Sequence, residues 1–438
     1  MAASSLTRTN TSPSASGYKY TFSAWIKRSK LTDRQMFWRV INPSATTYYS
    51  YMEFQANDTL HILDYSSNGT LAIVTNRLFR DTSAWYHIMG VVDTTEATAS
   101  NRVKLYVNGT QETSFASTTY TLGQNQATTG TESGKNNYVG GDAANNLRFF
   151  NGYMSHVAFV DGQALTPTSF GQTDSSSGIW KFKSPTGITF GNNGYHLKFE
   201  NSGNLGLDSS GEGHNLTVSG NGRQALDTPS NVHCTFNPLI ITSAGGVAVR
   251  TPGFQDGNTT ALFDDSGNNE FALTTIAPSK GKWYAEFKWA NATGNAASTV
   301  GIVKSDFVLQ TDVNDQGIVY KGDGNKVVNN SSSSYGASWT TGDIIGIALD
   351  CDSNTVNFYK NSVAQGSISI DADTNWYIFC SSYALSSTTR SVNANFGNGY
   401  FGTTAITSAG SNGNGSLFEY DVPSGYYALN TKNINTYG

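Results

Sequence analysis

The most constraining feature of this sequence is a stretch, residues 342–366, in which two apolar runs flank a short polar turn. It reads GDIIGIALDCDSNTVNFYKNSVAQG. In the runs 344–349 and 355–359 apolar and polar residues alternate at every second position, which indicates strands with one buried face. The turn 350–354 holds Asp, Asn and Ser, whose side chains bond their own backbone and tolerate left-handed geometry. We therefore expect a β-hairpin in which Ile345, Ile347 and Leu349, or the alternate residues of that run, face a core.

The same alternation recurs along the whole chain. Runs such as 20–27 (YTFSAWIK), 85–92 (WYHIMGVV) and 103–107 (VKLYV) are separated by turn residues, and Asn108-Gly109 is a strong hairpin signal. Only 13% of the residues are charged, whereas the chain holds 45 Gly, 23 Tyr and 23 Phe, and no long segment has a helical period. The sequence predicts an all-β protein of two tandem β-sandwiches with little or no helix.

Charge and cysteine content exclude several classes of protein. Residues 1–230 hold 17 basic and 16 acidic residues, and residues 231–438 hold 10 and 16, so no half is strongly basic, as a nucleic-acid binder would be. The cysteines, Cys234, Cys351 and Cys380, lack the spacing of a disulfide framework or a metal site. No apolar run approaches the roughly 20 residues that span a bilayer, and the start MAASSLTRTN has no leader-like apolar region. We expect the chain to be synthesised in a cytoplasm and not to insert into a membrane.

No arrangement of residues predicts catalysis. The carboxylate pairs Asp350/Asp352, Asp371/Asp373 and Asp264/Asp265 lie in or beside turns, and turn formation explains them better than acid–base chemistry. The six histidines are scattered, and neither a Gly-x-Ser-x-Gly elbow nor a phosphate loop is present. We expect no catalytic residues and no cofactor.

Three sets of residues remain as candidate sites. Asp93, Asp142 and Asp161 end strands and could bind Ca²⁺, although solvated turn aspartates are the alternative. Tyr335, Trp339 and Tyr383 lie in or near polar loops and could form an aromatic platform for a glycan. The densest basic cluster is either a solvated hairpin or a docking patch for an acidic partner surface; it consists of Lys27, Arg28, Lys30, Arg34 and Arg39.

Two resemblances to known families refine these expectations. The segments YTFSAWIKRS, WYHIMGVVD, VKLYVNGT and FFNGYMSHVAFVDGQALTP resemble a LamG-like jelly roll of the concanavalin type. The hairpin above, together with GKWYAEF at 281–287 and VNANFGNG at 392–399, resembles the centre of a SPRY domain. The resemblance implies a LamG-like domain at 1–230, with its core at 5–170, and a SPRY-like sandwich at 231–438. Within 171–230, the strands at 195–200 and 215–218 are expected to return to the first sandwich, the alternative being an independent hairpin. The segment 226–238 is expected to be an ordered linker.

The resemblance also carries an expectation about function. The versions W-I-K-R-S and VDGQALTPTSFG look closest to proteins of tailed bacteriophages. This implies a virion protein on the particle exterior, either a tail fibre or appendage component or a head decoration, present in many copies or as a homo-oligomer. Its partners would be other virion proteins and a glycan or other receptor on the host surface. The alternatives are a polysaccharide-degrading enzyme of the concanavalin superfamily and a cement protein without a ligand.

Overall fold

The structure is a computed structural model that describes residues 4–42, 44–239, 243–244, 247–248, 251–264, 269–291, 297–307, 316–383, 389–407 and 415–438. Contacts divide the chain into two compact units, Met1–Gln224 and Ala225–Gly438. Both units consist of strands joined by turns, so the predicted all-β fold class is confirmed.

The first domain contains strands, three short 3-10 helices and no longer helix in its described part. The 3-10 helices are Ala99–Asn101, Thr129–Thr131 and Pro167–Ser169. The strands are β1 (Ser5–Thr9), β2 (Lys19–Arg28), β3 (Gln35–Asn42), β4 (Ala45–Phe54), β5 (Thr59–Ser66), β6 (Gly69–Leu78), β7 (Tyr86–Asp93), β8 (Val103–Val107), β9 (Thr110–Gln111), β10 (Phe115–Tyr120), β11 (Asn136–Val139), β12 (Gly152–Asp161), β13 (Gly171–Thr173), β14 (Trp180–Phe182), β15 (Tyr195–Leu197) and β16 (Thr217–Ser219).

Two sheets of the first domain pack face to face. One has the order β10-β6-β5-β4-β3-β11-β1-β16 and the other the order β15-β12-β2-β7-β8-β9. Apolar side chains from both sheets fill the space between them; Phe22 of β2, for example, lies 5.1 Å from Trp38 of β3, between ring centres. Period-two alternation explains this core, because every second residue of a strand points to the same side.

The turn at Asn108-Gly109 and the pairing of β15 and β16 agree with the expectations from the sequence. Asn108 and Gly109 both have positive φ, 48° and 80°, in the tight turn between β8 and β9. Such a turn needs left-handed geometry at both positions, which Asn and Gly adopt readily. β15 pairs with β12, and β16 pairs with β1, so both strands return to the first sandwich.

The second domain also consists mainly of strands and ends in one short helix, α1 (Thr431–Tyr437). Its strands are β17 (Ser243–Ala244), β18 (Val247–Ala248), β19 (Gly253–Gln255), β20 (Thr260–Phe263), β21 (Asn269–Leu273), β22 (Lys282–Trp289), β23 (Ser298–Lys304), β24 (Gly317–Lys321), β25 (Asn325–Val328), β26 (Ser331–Ser334), β27 (Ile344–Asp350), β28 (Thr355–Lys360), β29 (Val363–Ser369), β30 (Trp376–Tyr383), β31 (Arg390–Asn395), β32 (Tyr400–Phe401), β33 (Thr404–Ala405) and β34 (Tyr427–Ala428).

The predicted hairpin forms two neighbouring strands in one sheet of this second sandwich. One sheet has the order β19-β20-β31-β22-β27-β28-β29, with β34 beside β22, and the other the order β21-β30-β23-β24-β25-β26. Ile345, Ile347 and Leu349 of β27 are fully buried in the main core. In the turn, Asp350 accepts hydrogen bonds from the backbone N–H groups of Asp352 and Ser353, at 3.1 and 2.8 Å.

The segment 226–238 is ordered, as expected, but it packs as part of the second domain instead of forming a separate linker. Cys234 and Phe236 are buried in the core of that domain, and Phe236 lies 5.5 Å from Phe396, between ring centres. Backbone hydrogen bonds join Cys234 to Leu429 and Phe236 to Asn258. An apolar residue between turn signals is compatible with either role, and only its long-range partners decide between them.

A buried carboxylate holds the C-terminal segment against the outer side of the same sheet. Glu286 of β22 is completely buried. Its oxygens accept hydrogen bonds from the backbone N–H groups of Glu419 and Tyr420, at 2.9 and 3.0 Å, and from the Asn395 amide at 3.2 Å. Burial raises the pKa of Glu286 to about 7, although these hydrogen bonds act in the opposite direction. Phe418 and Ala428 cover the sheet beside it.

Candidate ligand-binding site

One sheet face of the first domain carries tyrosines and charged groups instead of the usual small polar residues. In β4 the side chains alternate: Ser50, Met52 and Phe54 share one side, with Met52 and Phe54 in the core. Tyr49, Tyr51 and Glu53 occupy the other side, where Tyr51 and Glu53 are also buried. The neighbouring strand β5 contributes His61 and Tyr65, which pair directly with Glu53 and Tyr49. We call these five outward residues, Tyr49, Tyr51, Glu53, His61 and Tyr65, the tyrosine face.

The aromatic rings of this face lie against one another. Tyr49 and Tyr51 are nearly parallel, with ring centres 5.9 Å apart and an interplanar angle of 13°. Tyr65 stands edge-on to Tyr49 at 5.7 Å, and 37% of Tyr65 is exposed. Such rings offer apolar surface at low cost in conformational entropy, because a tyrosine has few rotatable bonds.

Two arginines bind carboxylates beneath and beside these rings. Arg39 of β3 pairs with Asp142, and its guanidinium lies 5.4 Å from the centre of the Tyr49 ring. Arg34 pairs with Glu53. Both carboxylates and Arg39 are buried, so each charge depends on its partner for compensation.

Glu53 is the most heavily contacted charged group of the site. Besides Arg34, it has Arg148 Nη1 at 3.8 Å from Oε2 and His61 Nδ1 at 3.7 Å from Oε1. Burial acts to raise the pKa of Glu53, but the neighbouring His61 and Arg34 outweigh it, so that the pKa lies below its usual value. The carboxylate is therefore ionised at neutral pH.

A shallow hollow opens to solvent next to this carboxylate. Its volume is about 370 Å³, and its lining residues are Arg34, Gln55, Ala56, Asn57 and His61. His61 connects it to the tyrosine face, because its Nδ1 lies 3.1 Å from the Tyr51 hydroxyl and 3.2 Å from Gln55 Nε2. We call it the Glu53 hollow.

The predicted basic docking patch does not exist as an exposed surface. Arg28 is completely buried, with Asp58 at 3.1 Å and the Phe79 carbonyl at 2.7 Å. Lys27 is also buried, with its Nζ 5.4 Å from the ring centre of Tyr153. Lys30 is exposed and pairs with Asp33. The sequence pattern was misleading because consecutive residues of a strand face opposite sides, so a linear cluster is divided between different surroundings.

The three calcium candidates do not come together. Asp93 pairs with Lys19 at 3.1 Å, Asp142 pairs with Arg39, and Asp161 accepts hydrogen bonds from Ser14 and Asn193. Burial raises the pKa of Asp161, whereas hydrogen bonds from Thr95 and Lys19 outweigh burial at Asp93 and lower its pKa. Within the described ranges, no group of three or more His, Cys, Asp or Glu residues could hold a metal ion.

The predicted aromatic platform of the second domain is also wrong in its central residue. Trp339 is 1% exposed and packs in the core, 5.5 Å from Trp289 between ring centres. Tyr335 is half-buried and donates its hydroxyl to the Gly366 carbonyl, so it ties two parts of the sandwich together. Tyr383 ends β30, but its side chain lies outside the described residues, as does Asp265. A loop aromatic next to a core is buried more often than its sequence context suggests.

A serine–histidine pair in the first domain has no catalytic geometry. Ser23 Oγ lies 2.8 Å from His87 Nε2, and Trp180 donates its indole N–H to His87 Nδ1 at 3.1 Å. His87 Nδ1 is thus an acceptor, so Nε2 carries the proton and donates to Ser23 instead of removing its proton. Burial lowers the pKa of His87 to about 3, and the pair is structural.

Comparisons with known proteins identify the class of each domain. A family model described as the concanavalin A-like lectin/glucanases superfamily matches residues 3–169, and the SPRY domain model matches residues 282–398. The chain therefore carries a LamG-like, concanavalin A-like domain followed by a SPRY domain. No curated protein matches the chain.

Several solved structures resemble parts of the chain. The SPRY domain of human HERC1 is 20% identical, with 32% of this chain and 96% of that chain covered and a TM-score of 0.28. A human SPRY domain is 18% identical, with 31% and 90% covered and a TM-score of 0.27. The heptameric SAP-like pentraxin of Limulus polyphemus is 16% identical, with 38% and 72% covered and a TM-score of 0.28.

Sequence reasoning identified some residues of this site for other reasons and missed others. Arg34 and Arg39 were candidates for docking and Asp142 for calcium, yet the structure places all three at the tyrosine face. Glu53, His61 and Arg148 were missed. The alternation in ATTYYSYMEF does place Tyr49, Tyr51 and Glu53 on one side of a strand, which is the one local signal available.

Proposed function

We propose that this protein is a non-enzymatic structural protein on the exterior of a tailed-bacteriophage particle, where it adheres to glycans on the host surface. The particle position would be a tail fibre or appendage or a head decoration, with many copies or a homo-oligomer. The likeness of W-I-K-R-S and VDGQALTPTSFG to phage proteins supports the virion location. Two β-sandwich domains, of classes that often present binding surfaces, support adhesion.

The observation that carries adhesion is the tyrosine face with its adjoining Glu53 hollow. A saccharide offers an apolar C–H face together with hydroxyl groups, so its binding site needs aromatic surface beside hydrogen-bonding groups. Tyr49 and Tyr65 provide the first, and Arg34, Gln55 and Asn57 provide the second. The elements that hold these residues are strands and short connections, which favours a preformed site.

The ionisation of the carboxylates favours binding over catalysis. A glycosidase needs one carboxyl group with a raised pKa as general acid beside a second carboxylate. Glu53 instead has a lowered pKa and an arginine partner, and Asp142 is paired with Arg39. Glu286 does have a raised pKa, but both of its oxygens are bonded to the C-terminal segment. The pKa values of Asp64 and Asp161 are also raised, and both side chains are buried and hydrogen-bonded to neighbouring residues.

A cell-binding assay with labelled protein tests the adhesive function. We expect Tyr49→Ala and Tyr65→Ala each to weaken binding to host cells by about tenfold, because each removes part of the apolar surface. Tyr18→Ala is the matched control, because Tyr18 is an exposed tyrosine of the same domain and lies outside the tyrosine face; it should bind like the wild type.

The other outcomes separate the alternatives. Turnover of an oligosaccharide that disappears in Glu53→Gln would show an enzyme and refute the proposal. Absence of binding to cells and to a glycan array, with the protein still present on particles, would favour a cement protein. Antibody labelling of purified particles tests the virion location independently of binding.

A further inference from the structure

We infer that the Glu53 hollow binds the carboxylate of an acidic saccharide, whose sugar ring lies against the tyrosine face. This inference rests on the proposed adhesive function and names its ligand class. Three observations carry it: an incompletely bonded buried carboxylate, an excess of cationic donors around it, and the adjoining aromatic rings.

The first observation is the incomplete bonding of Glu53. Its side chain is fully buried, and Oε2 has no hydrogen-bond partner. Arg148 Nη1 lies 3.8 Å from Oε2, which is too long for a hydrogen bond. Arg148 therefore makes no hydrogen bond to Oε2, and its partly exposed guanidinium can bond to an anionic ligand.

The second observation is the charge of the surroundings. Among the described residues, the ion pairs of Arg34, Arg39 and Arg148 involve two carboxylates, Glu53 and Asp142, so this set has an excess of one positive charge. The side chains of Arg34 and Arg148 are 41% and 33% exposed, so both remain accessible from solvent. The residues that line the hollow itself include an arginine, two amides and a histidine, but no carboxylate. A planar carboxylate matches the fork of an arginine and would replace the missing negative charge.

The third observation is the position of the rings. His61 lines the hollow and lies 5.1 Å from the Tyr51 ring, and the Tyr49 and Tyr65 rings follow along the same face. A pyranose ring that places its carboxylate in the hollow would therefore have aromatic surface beside it. The neighbouring sugar of a chain could occupy the exposed edge of Tyr65.

Titration calorimetry of the full chain with a matched pair of probes tests the inference. The probes are a β-linked hexamer of mannuronic acid and the same hexamer of mannose, which differ in the carboxylate. We expect the acidic hexamer to bind about tenfold more tightly at low salt, and its advantage to shrink as salt screens the charges. Arg148→Gln should remove most of this advantage while leaving the neutral hexamer unaffected. Lys183→Gln removes one exposed positive charge elsewhere in the same domain and should bind like the wild type.

The possible outcomes distinguish the inference from the proposed function. Equal affinity for both hexamers would overturn the carboxylate inference and leave glycan adhesion standing. If the acidic hexamer is preferred equally by Arg148→Gln and by the wild type, the site is elsewhere. If neither hexamer binds, the inference fails, and the cell-binding assay decides separately about adhesion. If only a sulfated mannose hexamer binds, and its binding depends on Arg148, the carboxylate inference is wrong and the ligand group is a sulfate. Unchanged thermal unfolding of Arg148→Gln confirms that the variant is folded.

Discussion

Replacing Glu286 with glutamine should remove a pH dependence from the stability of the second domain. Glu286 is buried beneath the C-terminal segment and accepts hydrogen bonds from Glu419, Tyr420 and Asn395. Its pKa rises from 4.5 to about 7 because burial penalises the charged form. The folded protein therefore holds a proton on Glu286 between about pH 4.5 and pH 7, where the unfolded chain has released it.

The sign and size of the effect follow from this difference. Because the folded state binds more protons in that interval, the contribution of Glu286 to stability is greatest below pH 4.5 and declines as the pH rises through 7. One pKa unit corresponds to about 1.4 kcal/mol, so the whole shift corresponds to about 3 kcal/mol. Glutamine keeps the shape of the side chain but does not titrate. Its amide must place an N–H group where an oxygen now accepts, which adds a loss of stability that does not vary with pH.

Urea unfolding of both proteins at several pH values between 4.5 and 8 measures the effect. The first domain is identical in the two proteins, so the difference in unfolding free energy isolates the contribution of Glu286. We expect the wild type to lose about 3 kcal/mol relative to Glu286→Gln across this range. Phe418→Leu is the control: Phe418 packs edge-on to Tyr284 at 5.0 Å in the same covered face, so this variant should be destabilised equally at every pH. Parallel curves for wild type and Glu286→Gln would show that the backbone donors keep Glu286 ionised and would refute the burial argument.

Three further predictions address the two cores and the boundary. Ile347→Ala should destabilise the second domain by about 2–5 kcal/mol in urea unfolding, because it leaves a cavity in the main core; an unchanged midpoint would contradict the packing. Arg28→Met should destabilise the first domain by about 3–5 kcal/mol, because it leaves Asp58 as a buried charge with less compensation, whereas Lys30→Met at the exposed pair should change stability by less than about 1 kcal/mol. Chains ending at Gln224 and starting at Ala225 should each unfold cooperatively by calorimetry, and failure of both would indicate a single merged domain.

Period-two alternation and turn chemistry were sufficient to predict many of the strands of this fold. They depend only on residues close in sequence, because the side chains of a strand alternate and a tight turn demands particular φ values. The hairpin of β27 and β28 and the Asn108-Gly109 turn therefore agree with the sequence-based expectation. The same local rule places Tyr49, Tyr51 and Glu53 on one side of β4.

What alternation could not decide is which surface remains exposed, because burial depends on residues that are distant in the chain. Arg28 belongs to a basic cluster in sequence, yet Asp58, thirty positions away, compensates its charge inside the domain. Glu286 occupies the side of β22 that would face water in a one-layered sheet, but the C-terminal segment covers it. Trp339 follows a polar loop and still packs against Trp289. The sequence by itself thus determined many of the strands and their sidedness, whereas the tertiary structure alone decided which charges are buried, which partners they have, and that Arg34, His61 and Arg148 meet at Glu53.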